Sequence, residues 1–125
     1  MDLCTKSEIP QYLGFGQMLQ GWAQAVQGDP AGLERLDEGF RRVPTLLLGS
    51  LHVLLRAQAM AALSRDSDAL RELEAALPGI RASGCAVYLK AQLILAAALN
   101  QKLGNDAGAQ RQRAEADLLA RAQMA

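Results

Sequence analysis

Apolar residues recur along this chain of 125 residues in long stretches that short polar turns separate. The stretches are rich in alanine, leucine, glutamine and arginine, which favour helix, and they lack the alternating β-branched runs typical of strands. The turns predict six helices arranged as three hairpins. We expect one all-α domain over residues 1–125, with hairpins at about 10–43, 45–83 and 86–123.

Glycine and proline mark most of the predicted helix ends. The first helix should run from about Pro10 to the break at Gly28-Asp29-Pro30, where Asp29 can cap the second helix. The fourth helix should begin near Asp68, and Pro78 with Gly79 should end or kink it. The fifth helix is expected over about residues 86–103, and Gly104 is expected to end it with a positive φ.

The predicted helices differ in polarity. The third and fifth are apolar almost all round and should be buried, whereas the sixth is polar along its length and resembles a terminal capping helix. The first helix carries Tyr12, Phe15, Leu19 and Trp22, with no polar helix before it to cover them. This asymmetry indicates that the first hairpin packs against something else.

Small residues recur at fixed spacing within the three hairpins. Pairs seven residues apart stand in the first helix of each hairpin, and further small residues follow each turn: Gly21/Gly28, Ala57/Ser64 and Ala97/Gly104, then Gly32/Gly39, Ala69/Ala76 and Ala109/Ala116. Small residues at helix crossings let antiparallel helices approach closely. A period of roughly 36 to 40 residues is typical of helical solenoids, which bind partners more often than they catalyse reactions.

The small residues and turns resemble those of the tetratricopeptide repeat, a helix–turn–helix unit of about 34 residues. The resemblance implies three degenerate repeats stacked as a short right-handed solenoid, with the first helix of each hairpin on the concave face. A narrower likeness covers the first hairpin, where Gly21-Trp22-Ala23-Gln24-Ala25-Val26-Gln27-Gly28 is followed by Gly32-Leu33 and Glu38-Gly39-Phe40.

That second pattern is similar to the C-terminal helical region of large bacterial signalling proteins that join a nucleotide cyclase or a DNA-binding module to an ATPase. The chain has no GxxxxGK[ST] loop and no room for the ATPase or the cyclase, so the resemblance implies no enzymatic activity. It implies a sensor or scaffold module. The two isolated thiols, Cys4 and Cys85, separately indicate a reduced, cytoplasmic setting.

A candidate partner-binding face follows from the repeat offsets. Its residues are predominantly apolar and lie in the first helix of each hairpin: Tyr12, Phe15, Met18, Trp22, Leu51, Leu54, Gln58 and Ile94. One interpretation is a groove for an amphipathic helix or apolar peptide, or a self-association surface, with Trp22 as the anchor. Another is that the hairpins curl and bury these residues in one core. A third is a sensor that encloses a small apolar ligand beside His52, Gln58 and Gln92.

The remaining composition argues against other functions. Thirteen basic and 13 acidic residues balance, with no basic run, so we expect no nucleic-acid partner. Cys4 and Cys85 are isolated, and His52 is the only histidine, so we expect no metal, no cofactor and no nucleophile–base pair. The longest apolar stretch, residues 46–63, contains His52, Arg56 and Gln58 and predicts a buried helix rather than a membrane span. Glu34, Asp37 and Glu38, with Arg41 and Arg42 a turn beyond, are expected on a solvated helix face.

Overall fold

The chain folds into helices joined by short turns. The computed structural model describes the backbone of residues 2–42, 46–83 and 87–124 and the side chains of residues 13–42, 49–83 and 87–122. Its helices are α1 Asp2–Val26, α2 Ala31–Arg42, α3 Leu46–Ala62, α4 Asp66–Ser83, α5 Leu89–Lys102 and α6 Asp106–Met124. The described residues contain no strand, which confirms the all-α class.

The helices pack in the order of the chain. Each helix contacts its hairpin partner, α3 also packs on α1 and α2, and α5 packs on α3 and α4. Among the described residues, neither α1 nor α2 contacts α5 or α6. The second hairpin therefore separates the other two, as in a linear stack, while the right-handed twist of the array stays a prediction.

A continuous apolar core runs through the stack. One cluster of buried residues takes in all three hairpins, from Ala25 and Leu33 through Ala59 and Leu73 to Leu99. Alanines at the predicted crossings, Ala57 and Ala97, are almost completely buried. Both alanines therefore face the core, while the close helix crossing at each of them stays a prediction.

Three turns that close the first helix of each hairpin have the same geometry. Gly28, Ser64 and Gly104 have φ of 103°, 63° and 89°, so the positive φ expected at Gly104 is confirmed. The next amide donates back across the helix end, as in Asn105 N to Asn100 O at 2.7 Å and Arg65 N to Met60 O at 2.8 Å. These are the bonds of a Schellman motif, and they satisfy carbonyls at the helix end.

Several helix ends differ from those the sequence predicts. α1 begins at Asp2, not near Pro10, and α5 begins at Leu89, not near residue 86. α4 begins at Asp66 and continues through Pro78 to Ser83. Leu77 and Ile80, on either side of that proline, are both packed in a buried cluster, so tertiary contacts keep the helix intact although proline removes one backbone bond. The sequence also predicts that α2 ends at Pro44 and that α4 stops at Ser83-Gly84, and both Pro44 and Gly84 lie outside the described residues.

The first hairpin packs backbone against backbone. A Cβ at Gly39 would lie 2.5 Å from the Gly14 carbonyl oxygen and 2.6 Å from the Met18 amide nitrogen. A Cβ at Gly21 would lie 2.5 Å from the Gly32 carbonyl oxygen. Both positions require glycine because α1 and α2 leave no room for a side chain between them.

The last helix has the polarity predicted for the end of the stack. Gln110, Arg111, Arg113 and Asp117 of α6 are exposed, while Ala109 and Ala116 face the core. None of the helices in the described part of the chain combines the length and apolar character needed to cross a bilayer.

Candidate protein-interaction surface

Part of the predicted binding face comes together where the first two hairpins meet. Met18 of α1 and Leu55 of α3 pack with Leu36 of α2 in one buried cluster. Trp22 and Leu51 pack against this cluster and remain partly exposed. The junction therefore presents an aromatic and an aliphatic side chain on a rigid apolar base.

A hydrogen bond orients Trp22. Its indole Nε1 donates to Oε1 of Gln58 at 3.0 Å, from α1 to α3. The two residues occupy equivalent repeat positions, six before Gly28 and six before Ser64. Gln58 thus satisfies the polar end of the indole and holds the ring across the hairpin junction.

The other residues of the predicted binding face differ in how exposed their side chains are. Met18 is completely buried and Leu54 is 6% exposed, so neither offers a surface to a partner, and both belong to the core. Phe15 is partly exposed, and Ile94 on α5 is 50% exposed. The side chain of Tyr12 lies outside the described residues.

A polar cluster that sequence reasoning missed ties together α2, α3 and α4. The Nε2 atom of His52 lies 2.8 Å from Oδ1 of Asp37, and the Arg56 guanidinium donates to Oδ2 of the same carboxylate at 2.6 Å. Arg56 also donates through Nε to Glu72 at 2.8 Å. Phe40 stacks on the His52 ring with centroids 4.3 Å apart.

The placement of Asp37 corrects the expectation of a solvated carboxylate face. Its side chain is only 29% exposed, whereas Glu38 beside it pairs with Arg41 at the surface, as expected. The spacing of His52 and Arg56, one helical turn apart, was the available signal for a shared partner. The sequence alone could not say which acid on which helix would meet them.

Burial and pairing act in opposite directions on Asp37. Burial acts to raise the pKa of its carboxyl, but the hydrogen bond from His52 and the charge of Arg56 outweigh burial and hold that pKa below its usual value. The hydrogen bond to Glu72 raises the pKa of Arg56 above its already high value. Asp37, Arg56 and Glu72 therefore form an ion-pair network that joins the first hairpin to the second.

Polar side chains also join the second and third hairpins. Asn100 of α5 donates through Nδ2 to Gln112 at 2.7 Å and to Glu74 at 3.1 Å. Deeper in the same junction, Gln92 donates through Nε2 to the Ser50 carbonyl at 2.8 Å. Both contacts link neighbouring hairpins through buried amides, which makes the register of stacking specific.

The polar groups proposed for a ligand pocket do not converge. His52 binds Asp37, Gln58 binds Trp22, and Gln92 binds Ser50, each at a different place. An open depression of about 430 Å³ lies on the first hairpin, where charged residues such as Glu34 and Arg35 line it. That depression lies between α1 and α2 and does not resemble an apolar site enclosed between hairpins.

The described residues hold no group of three side chains that could bind a metal ion. Comparison with protein-family models, with curated proteins and with solved structures finds no match. The function is therefore inferred from the chain's own surface and packing.

Proposed function

We propose that this chain is a non-catalytic protein-interaction module built from tetratricopeptide-like hairpins. Its binding face would consist of the exposed parts of Phe15, Trp22, Leu51, Gln58 and Ile94 on the first helix of each hairpin. The partner would be an amphipathic helix or apolar peptide of another protein, within a cytoplasmic bacterial signalling or transcription-control system.

The observation that carries the proposal is the preorganised Trp22. Its ring is partly exposed, a hydrogen bond of 3.0 Å to Gln58 orients it, and Met18 and Leu55 support it from below. A rigid tryptophan loses little conformational freedom on binding, and such residues often supply much of the energy of an interface. His52 and Arg56 both hydrogen-bond to Asp37 across the junction between the first two hairpins.

Peptide binding tests this proposal directly. Trp22 is the only tryptophan, so its fluorescence reports on the proposed face without a label. We expect synthetic amphipathic helices with one leucine-rich face to shift its emission saturably. Ile94→Asp places a charge at an exposed position of the same face and should weaken binding about tenfold, or roughly 1.4 kcal/mol.

Leu118→Asp supplies the matched control. Leu118 is 62% exposed on α6, outside the proposed face, so this variant should bind the peptides as the parent does. No saturable change with any peptide, or equal losses from both variants, would show that the face formed by α1, α3 and α5 is not a binding surface.

A further inference from the structure

A second apolar surface lies on the outer side of α1. Gly16, Leu19, Ala23 and Val26 follow one another at spacings of three, four and three residues, and we call them the outer stripe. Leu19 is 39% exposed and Val26 is 44% exposed. This spacing is the a/d pattern with which helices pair along a seam.

Residues at the equivalent positions of the second hairpin indicate the role of this stripe. Counted back from the turns at Gly28 and Ser64, Leu19 and Ala23 of α1 correspond to Leu55 and Ala59 of α3. Leu55 is 7% exposed and Ala59 is completely buried, because the preceding hairpin packs on that side of α3. At Leu19 and Ala23 the outer stripe is therefore a helix-packing face whose counterpart in the next hairpin is covered, whereas Ala62, the counterpart of Val26, is exposed.

The composition of α1 favours a second copy as the occupant. No Asp, Glu, Lys or Arg stands between Glu8 and Asp29, although charged residues make up 21% of the chain. A two-fold interface brings a surface against itself, so charges near the axis would face like charges. Because the outer stripe carries no charged residue, two copies can meet there without repulsion between like charges.

The side-chain sizes are also self-complementary. When two outer stripes lie antiparallel about an axis near Gly21, Leu19 of each copy faces Ala23 of the other, and Val26 faces Gly16. Each large side chain then meets a small one. A Cβ built at Gly16 meets no atom within 4 Å, so space for the second copy's valine is open.

We propose that two copies of this chain pair through their outer stripes, α1 against α1, antiparallel and with two-fold symmetry. This inference goes beyond the proposed function, because the occupant is a second copy of the chain rather than a peptide. Trp22 lies beside the outer stripe, one helical turn from Leu19 and from Val26. The inner face of α1 already makes a contact of the same kind, since Gly21 packs against Gly32 of the antiparallel α2.

The mass in solution tests the pairing. At concentrations up to about 100 μM, sedimentation equilibrium should give the parent chain twice the 13.4 kDa of one copy. Leu19→Glu buries an unpaired charge in the seam and should give the single mass with unchanged far-UV circular dichroism. Leu118→Glu, at an exposed leucine on α6, should remain paired.

A mixing experiment tests the antiparallel register. Ala23→Lys alone should also be unpaired, but an equal mixture with Leu19→Glu should recover the double mass. In the antiparallel arrangement the new glutamate faces the new lysine, and the other layer keeps its native leucine and alanine. A parallel arrangement would leave both charges unmatched and would not recover.

Each other outcome would overturn the proposal. A parent chain of single mass would mean that the stripe is covered by a different protein or by none. A Leu19→Glu variant that stays paired would place the interface elsewhere, and a mixture that does not recover would exclude this register. Because Trp22 lies beside the stripe, peptide titration of the unpaired Leu19→Glu variant separates the two proposals: pairing can be lost there while peptide binding at Trp22 remains.

Discussion

Asp37 shows how a single residue changes its role once the chain folds. By spacing it belongs with Glu34 and Glu38 on an acidic helix face, yet only its carboxylate bridges to the next hairpin. It receives hydrogen bonds from His52 and Arg56, both on α3. Because these contacts favour the ionised carboxylate, they stabilise the junction as long as Asp37 is charged.

We expect Asp37→Asn to lower the free energy of unfolding by about 1 to 2 kcal/mol at neutral pH, since it weakens charge-assisted hydrogen bonds at a half-buried site. The folded pKa of Asp37 lies below its ordinary value of 3.8. Its contribution is therefore present above that pH and is lost as pH falls through the folded pKa. Urea unfolding of both proteins between pH 7 and strong acid should show the difference shrinking below about pH 3.8.

Glu38→Gln is the matched control for this measurement. Among the described residues Glu38 pairs with exposed Arg41 on its own helix, so the unfolding midpoint should hardly change at any pH. A constant difference between Asp37→Asn and the parent across the acid range would mean that ionisation of Asp37 does not stabilise the junction.

At the scale of single elements, the first hairpin is the most tightly constrained. Its glycines stand where α1 and α2 touch through their backbones, whereas the equivalent positions Ala57 and Ala97 in the other hairpins carry buried alanines. The seven-residue spacing predicted close approach in all three hairpins. How close each pair comes depends on whether a Cβ is present at the crossing, and glycine allows the shortest separation.

Gly39→Ala should therefore destabilise the protein by roughly 1 to 3 kcal/mol or more, because its Cβ would meet the Gly14 carbonyl and the Met18 backbone. Gly79→Ala provides the contrast. Its Cβ would meet no atom within 4 Å, and alanine favours helix, so a gain of about 0.5 to 1 kcal/mol is expected. The urea midpoints of the two variants measure both effects. A tolerated Gly39→Ala would show that α1 and α2 lie farther apart than the structure places them.

Across the whole molecule, the hairpins interact only with their neighbours in the described part of the chain. The free energy of unfolding of such an array is approximately the sum of a contribution from each hairpin and a contribution from each junction between neighbouring hairpins. A local defect should then loosen its own hairpin and the adjoining one before the far end of the stack.

Two core truncations test this distribution. Leu93→Ala in α5 and Leu36→Ala in α2 each remove a completely buried leucine and should cost about 2 to 5 kcal/mol. Hydrogen exchange should accelerate mainly in residues 87–122 for the first variant and mainly in residues 13–42 for the second. Acceleration spread evenly over the chain in both cases would instead indicate a single cooperative core.

The sequence by itself determined the all-α class, the positive φ of Gly104 and the close approach of the first two helices at their glycines. These features depend on neighbours within a few turns of helix: glycine at a positive φ, apolar periodicity, and spacing on one helix face. The same local signals predicted that α4 would end or kink at Pro78 and Gly79, but the helix continues to Ser83. Pro78 disfavours helix locally, but the burial of Leu77 and Ile80 on either side maintains it.

Only the tertiary structure decided which residues of the candidate face reach the surface. Periodicity placed Met18, Leu54 and Ile94 at the same repeat position, yet Met18 is completely buried and Ile94 is half exposed. Met18 packs against Leu36 of its own hairpin and Leu55 of the next, whereas half of the Ile94 side chain on α5 is left uncovered by the described residues. The partners of Asp37 and Trp22 were likewise settled by helix stacking, because contacts 15 to 36 residues apart depend on the register between hairpins.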